Sequence, residues 1–188
     1  MSAAPLADEP RIPPGGWREV GPFVAVLARI AGRVQGTEPP AVFLTLGRHR
    51  RLFWGWLHFA GRLMPGGRLS RRESELVIVR VAARRGSAYE LEQHRRLARR
   101  AGLSREEVAA IEAGETEPSV GSFGPRELLL LRATDELLAD QDLSDPLWAE
   151  LGVHFEDRER IEILMLVGHY AMLATALHAL RVQPDRSR

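Results

Sequence analysis

The sequence predicts an all-α protein, and three observations carry that prediction. Between residues 17 and 182 apolar residues recur at spacings of three and four, with almost no two-residue alternation. Ser-x-x-Glu boxes stand at Ser70/Glu73, Ser87/Glu90 and Ser104/Glu107, and each can satisfy two orphan amides at a helix start. Glycine and proline divide the chain into pieces of helix length.

The elements follow in order. Residues 1–16 are rich in Pro, Gly and Ala and are expected to form a flexible tail. Gly21-Pro22 opens a helix with Phe23, Val26, Leu27 and Ile30 on one face. Pro39-Pro40 opens another that runs with little break to Leu63, where Pro65-Gly66-Gly67 stops it. The three boxes start helices near 71–85, 88–100 and 105–113. Gly86, Gly102 and Gly114 close or follow helices where a left-handed residue is wanted. A loop over 114–124 leads to a helix from Pro125 to about Asp140. Ser144-Asp145-Pro146 starts a short helix to about Leu151, and the last runs from about Asp157 to Arg181. Its apolar stretch approaches membrane-spanning length, but Glu162, His169 and His178 favour a buried helix of a soluble protein. Residues 17–182 are expected to form one domain, and 183–188 a frayed end. A faint internal repeat relates Arg72–Val79 to Arg158–Met165, each an acid-led start of a long apolar helix.

Composition narrows the function. Of 188 residues 45% are hydrophobic and 27% charged, and the net charge is +1, which fits a globular chain and argues against a general nucleic-acid binder. All 26 cations are Arg, so Schiff-base chemistry on lysine is excluded. Cysteine is absent, which removes disulfides, thiol nucleophiles and Cys-ligated zinc. The first residues do not read as a signal peptide, so a cytoplasmic location is expected.

Two polar residues interrupt stripes that should face a core. Glu75 lies one turn before Ile78 and Val79, and His94 lies between Leu91 and Ala98. A tight turn at Gly86 makes their helices antiparallel neighbours, which brings the two side chains to one level. A buried carboxylate left alone would cost several kcal/mol, on the order of the buried-ion penalty, and an imidazole partner offsets it. Such a pair can exchange a proton near pH 7, or it can simply tie two helices together.

Other candidates surround this pair. Tyr89 opens the second helix and is either a core ring or a group reaching substrate oxygen. Glu90 faces the same cleft, yet it also completes the Ser87 capping box. Arg80 interrupts Val77-Ile78-Val79 and Val81-Ala82, either to bind an anionic substrate by its fork or to pair with an acid. Trp54, with Phe53, Trp56 and Phe59, can wall a pocket or build a core. Glu162 and His169, seven residues apart, are a reserve pair. The run Arg95-Arg96 with Arg99-Arg100 is matched by Glu90, Glu92, Glu106 and Glu107, so it reads as a solvated face rather than a nucleic-acid stripe. His49 and His58 lack carboxylates at ligand spacing, so no metal is expected.

The chain resembles the carboxymuconolactone decarboxylase family, which includes alkylhydroperoxidase D. The resemblance covers about residues 40–113. It is carried by Leu69-Ser70-Arg71-Arg72-Glu73-Ser74-Glu75-Leu76-Val77-Ile78-Val79-Arg80-Val81-Ala82, by Tyr89-Glu90-Leu91-Glu92-Gln93-His94 and by Ala101-Gly102-Leu103-Ser104. In the peroxidase branch a relay runs from a Glu to a His and a CxxC pair. The resemblance places the Glu on Glu75, the distal His on His94, the cysteines on Ser87 and Glu90, and the residue between them on Tyr89. The relay ends are present and the redox pair is missing, and serine cannot stand in for a thiolate in peroxide reduction. The decarboxylase branch commonly shows the Tyr-Glu-x-x-x-His block, with a Trp where this chain has Leu91. The resemblance implies a bundle of helical hairpins and a ring-shaped homo-oligomer, often a trimer or hexamer. It implies cofactor-free chemistry on a small carboxylated or carbonyl compound. His94 would be acid or base and Glu75 its partner. Tyr89 is the third catalytic candidate and would hold substrate oxygen, as would Arg80; Glu90 would face the pocket as a second acid, and Ser87 and Trp54 would border the substrate. A non-catalytic scaffold on the same fold is the alternative. Neither nucleic acid nor membrane is expected as a partner.

Overall fold

The computed structural model describes residues 9–114 and 123–186, so most of the expected 114–124 loop and both chain ends lie outside the described residues. Ten helices stand among them, with no strand: α1 (Trp17–Val20), α2 (Pro22–Gln35), α3 (Ala41–Leu46), α4 (Arg50–Leu63), α5 (Arg71–Arg84), α6 (Ala88–Arg100), α7 (Arg105–Ala113), α8 (Pro125–Asp140), α9 (Asp145–His154) and α10 (Asp157–Leu180). The all-α prediction therefore holds.

Two differences concern the first helices. The short α1 was not expected, because four residues show no period. The helix expected from Pro40 to Leu63 is broken at Gly47. A Cβ on Gly47 would stand 2.5 Å from the Phe43 carbonyl and 2.7 Å from Val24, so close approach to α2 demands glycine there. The described part of the expected tail carries hydrogen bonds: the Arg11 amide donates to the Leu180 carbonyl and the Gly15 amide to that of Leu44, both at 3.0 Å.

The chain divides into two compact units, and the stretch 17–182 is spread over both. The first holds the described residues up to His58 and those from Thr175 onward. Its core gathers Val20, Val24, Ala25 and Phe53, with Phe43 edge-on to both Phe53 and Trp56 and Trp56 tilted against Phe53.

The second unit, Phe59–Ala174, is organised about α5. Every residue from Ser74 to Ala82 is buried, the signature of a helix surrounded on all sides, with α6, α7 and α8 packed against it. Two of those nine residues, Glu75 and Arg80, carry charge and must find partners inside. α10 contributes a stripe of Ile163, Leu166, Val167, Tyr170, Leu173 and Ala174. The starts of α5 and α10 share one side-chain partner. Glu73 of α5 and Glu159 of α10 each bond their own helix start, and both meet Arg126, at 2.8 and 2.9 Å.

Candidate functional site

The α5–α6 hairpin sets the geometry. α5 ends with Gly86 at φ +62, its amide donating to Ala83 and that of Ser87 to Ala82, the two bonds of a Schellman turn. This turn brings Glu75 and His94 together. Glu75 Oε2 lies 2.7 Å from His94 Nδ1, and Glu75 Oε1 lies 2.7 Å from the Arg71 guanidinium one turn back along α5. The Glu75 side chain is fully buried, whereas 9% of the His94 side chain stays exposed. The imidazole thus presents Nδ1 to the carboxylate and keeps Nε2 for another group.

α10 supplies two residues to the same place. The Tyr170 ring stands perpendicular to His94 at 5.3 Å and to His169 at 5.1 Å, and Phe59 closes the row beyond His169 at 5.3 Å. Burial drives the Tyr170 phenol well above its ordinary range, and the Glu75 and Glu90 carboxylates push it further against the opposing pull of Arg71. It stays a neutral hydroxyl. Burial also pushes His169 down to about 4.

Glu90 departs from expectation. The capping box expected at Ser87/Glu90 is not made, whereas those at Ser70/Glu73 and Ser104/Glu107 are complete. The reason is local. The Ser87 amide already donates to Ala82 in the Schellman turn, so no cap donor is left for Glu90. After Gly102 one more residue, Leu103, takes the equivalent bond to Ala98, and the Ser104 amide stays available. Glu90 turns inward instead. It is 2% exposed, and neither of its oxygens nor Ser87 Oγ has a hydrogen-bond partner. Burial raises its pKa to about 7, against smaller downward pulls from the nearby Ser87 hydroxyl and the His94 charge.

The remaining candidates separate. Tyr89 and Ser87 are buried at the start of α6, beside Glu90 in the chain. Arg80 does not serve a substrate. Its fork is held by Asp135 at 2.8 and 2.6 Å, and its other donors reach the Ile111 and Gly114 carbonyls. The sequence could not choose between these roles because Asp135 lies 55 residues away. Trp54 belongs to the first unit, where it meets Phe53 edge-on and remains 44% exposed. Glu162 does not join His169, because its carboxylate accepts from the Arg68 and Leu69 amides at 2.6 and 3.1 Å. Tyr170 was missed, although its place in the buried stripe of α10 is readable from the spacing.

Two grooves of the second unit lie elsewhere. One of about 310 Å³ runs between α6 and α7, where Arg95 is forked to Glu112 and Arg96 faces Glu92. The other, of about 550 Å³, is lined by Glu73, Arg126, Glu127 and His154. Neither includes Glu75, Glu90 or His94. Among the described residues no group of three or more His, Asp or Glu is placed to hold a metal.

Residues 50–136 match the model of the Carboxymuconolactone decarboxylase family. The fold is shared with solved structures. The alkylhydroperoxidase AhpD core of an uncharacterized peroxidase-related protein from Ralstonia eutropha JMP134 has a TM-score of 0.79 and 18% identity, over 97% of this chain and 94% of that one. An uncharacterized peroxidase-related protein from Silicibacter sp. TM1040 has a TM-score of 0.80 and 17% identity, over 95% of each chain. The debrominase Bmp8, solved as a Cys-to-Ala variant with 2,3,4-tribromopyrrole, has a TM-score of 0.75 and 16% identity, over 92% and 90%. These identities speak for the fold alone. No curated protein matches the chain.

Proposed function

From the match of residues 50–136 to the model of the carboxymuconolactone decarboxylase family, we propose that this chain is an enzyme of cofactor-free proton transfer. Its substrate is a small carboxylated or carbonyl compound, and its reaction a decarboxylation or a lactone isomerisation. One observation supports this above the rest: a fully buried carboxylate is set on Nδ1 of an imidazole that keeps some exposure. Glu75 fixes the ring and its tautomer, and Nε2 of His94 is then the atom that takes or returns a proton. Tyr89 and Ser87 hold substrate oxygen beside it.

Thiol peroxidase activity has no basis in a chain without cysteine. The protein on this reading is cytoplasmic and assembles as a trimeric or hexameric ring. Two exposed apolar stripes support assembly: Phe23, Val26, Ile30 and Val34 on α2, and Ile161, Leu164, Met165 and Met172 on α10. α10 is long and apolar enough to cross a membrane, but its buried stripe, with Tyr170 and His169, suits a core helix better.

A thermal-shift and turnover screen tests the reading, with lactone carboxylates, keto acids and phenolic acids run on wild type and His94→Gln. A ligand that stabilises and turns over only with His94 present supports it. The alternative is a non-catalytic binding or scaffold protein, in which Glu75 and His94 join helices only. It predicts no turnover and no His94-dependent ligand stabilisation on any probe.

A further inference from the structure

Among the described residues six helix starts carry a Glu at the third position, and five of those carboxylates reach back to the cap amide. Glu19, Glu73, Glu107, Glu127 and Glu159 accept from the amides of Gly16, Ser70, Ser104, Gly124 and Glu156 at 2.7, 2.9, 2.7, 2.8 and 2.8 Å. Glu90 is the sixth. It is buried with both oxygens unpartnered, beside an unpartnered Ser87 hydroxyl, one helical turn before His94 on α6. A carboxyl in that position forfeits a cap bond and stability, and its unfilled bonding capacity points to a group that arrives from outside.

We propose that Glu90 is the proton donor of this site: its neutral carboxyl gives a proton to the sp² oxygen of an enolisable carbonyl substrate while His94 Nε2 takes the proton from the adjacent carbon. The inference rests on the reading of His94 as the base, and it narrows the substrate class to compounds that pass through an enol. Atoms and electrons balance within the step. The C–H bond breaks and its pair forms the C=C bond. The carbonyl π pair moves to oxygen, which takes the proton of Glu90. The enol, an imidazolium and the Glu90 carboxylate result, with no oxidant or reductant. Return of a proton from His94 to carbon, and of the enol proton to Glu90, resets the site.

The surroundings suit a neutral acid. Around it stand His94 on α6, Glu75 with Arg71 on α5, and Tyr170 on α10, which senses both carboxylates. Arg71 is engaged by Glu75, and Tyr170 remains neutral. Burial holds Glu90 near pH 7, where a carboxyl both donates and recovers a proton readily.

The test uses the full chain in D2O with two probes, levulinate and paraconate, an open-chain keto acid and a lactone carboxylate. Exchange of the carbon-bound proton is followed by NMR across pH for wild type, Glu90→Gln and His94→Gln. Glu90→Gln keeps size and polarity and is expected to lower exchange about 100-fold and to abolish the fall in rate above pH 7. Infrared spectra of the ligand-free wild type are expected to show a protonated carboxyl band that fades through pH 7 and is missing in Glu90→Gln. Wild-type rate and pH profile in Glu90→Gln, with exchange lost in His94→Gln, would overturn the inference and leave the proposed function intact. No band at pH 5.5 would also overturn it. No exchange by wild type on either probe would remove the proposed function, and this inference with it.

Discussion

Glu75 and His94, nineteen residues apart, meet at 2.7 Å between consecutive helices. The carboxylate is fully buried and its other oxygen is engaged only by Arg71 at the surface end of α5. A single substitution here has two separable effects. His94→Gln is expected to lower turnover by about 10²–10⁴-fold, the usual contribution of a general acid or base. It is also expected to destabilise, because the buried Glu75 carboxylate loses one of its two partners. Glu75→Gln with His94 intact should leave binding of a stabilising ligand in place and lower kcat, which steady-state kinetics beside a thermal melt will separate.

Stability should depend on pH through two buried groups of opposite sign. Glu90 is raised from 4.5 to about 7. The native state there holds a proton that the unfolded chain has lost, so its contribution declines as pH rises from 4.5 to 7. His169 is lowered from 6.5 to about 4. The unfolded chain there holds the extra proton, so stability grows as pH rises from 4 to 6.5. Each amounts to about 3 kcal/mol at 1.36 kcal/mol per pKa unit. The two nearly cancel in the wild type. Glu90→Gln should unmask a rise with pH and His169→Gln a fall, read from urea denaturation at pH 4.5, 5.5 and 6.5.

The capping serines should not behave alike. Ser70→Ala and Ser104→Ala each remove a made cap bond, at 3.2 and 3.1 Å, and are expected to cost about 1 kcal/mol. Ser87→Ala removes a buried hydroxyl that makes no cap bond, so it should be neutral or stabilising. Chemical denaturation of the three variants checks this. A loss of about 1 kcal/mol in Ser87→Ala would show that its cap is made after all.

Arg80 is a stability residue. It is fully buried, and Asp135 meets it with both oxygens while also receiving Arg84 at 2.9 and 3.0 Å. Burial raises the Asp135 carboxyl, but the two guanidiniums outweigh it and hold it below its ordinary value. Its contribution is therefore present above the unfolded value of 3.8 and is lost as pH falls through the lower native one. Asp135→Asn is expected to cost about 3–5 kcal/mol at pH 7, the cost of leaving a buried charge alone. That gap should narrow in acid, as paired unfolding curves at pH 7 and pH 3 would reveal.

Most of the fold is legible in the sequence, because apolar period, caps and breakers act over a few residues. The site is legible in part. Glu75 and His94 stand out as polar interruptions of buried stripes on neighbouring helices, and their hairpin is set by the Gly86 turn. Glu90 looks like a capping residue, and its release was readable in principle. Gly86 sits directly before Ser87, and one amide cannot both close a helix and cap the next.

The sequence alone determined most of the helices, the absence of cysteine thiols and the pairing of Glu75 with His94, since each depends on residue type or on spacing over a short stretch of chain. Tertiary structure decided the rest. Arg80 goes to Asp135 rather than to a substrate, Glu162 goes to the loop amides of Arg68 and Leu69, and Tyr170 of α10 comes against His94. A buried charge or ring must take whichever partner packing brings to it, and spacing along the chain does not fix how distant helices dock.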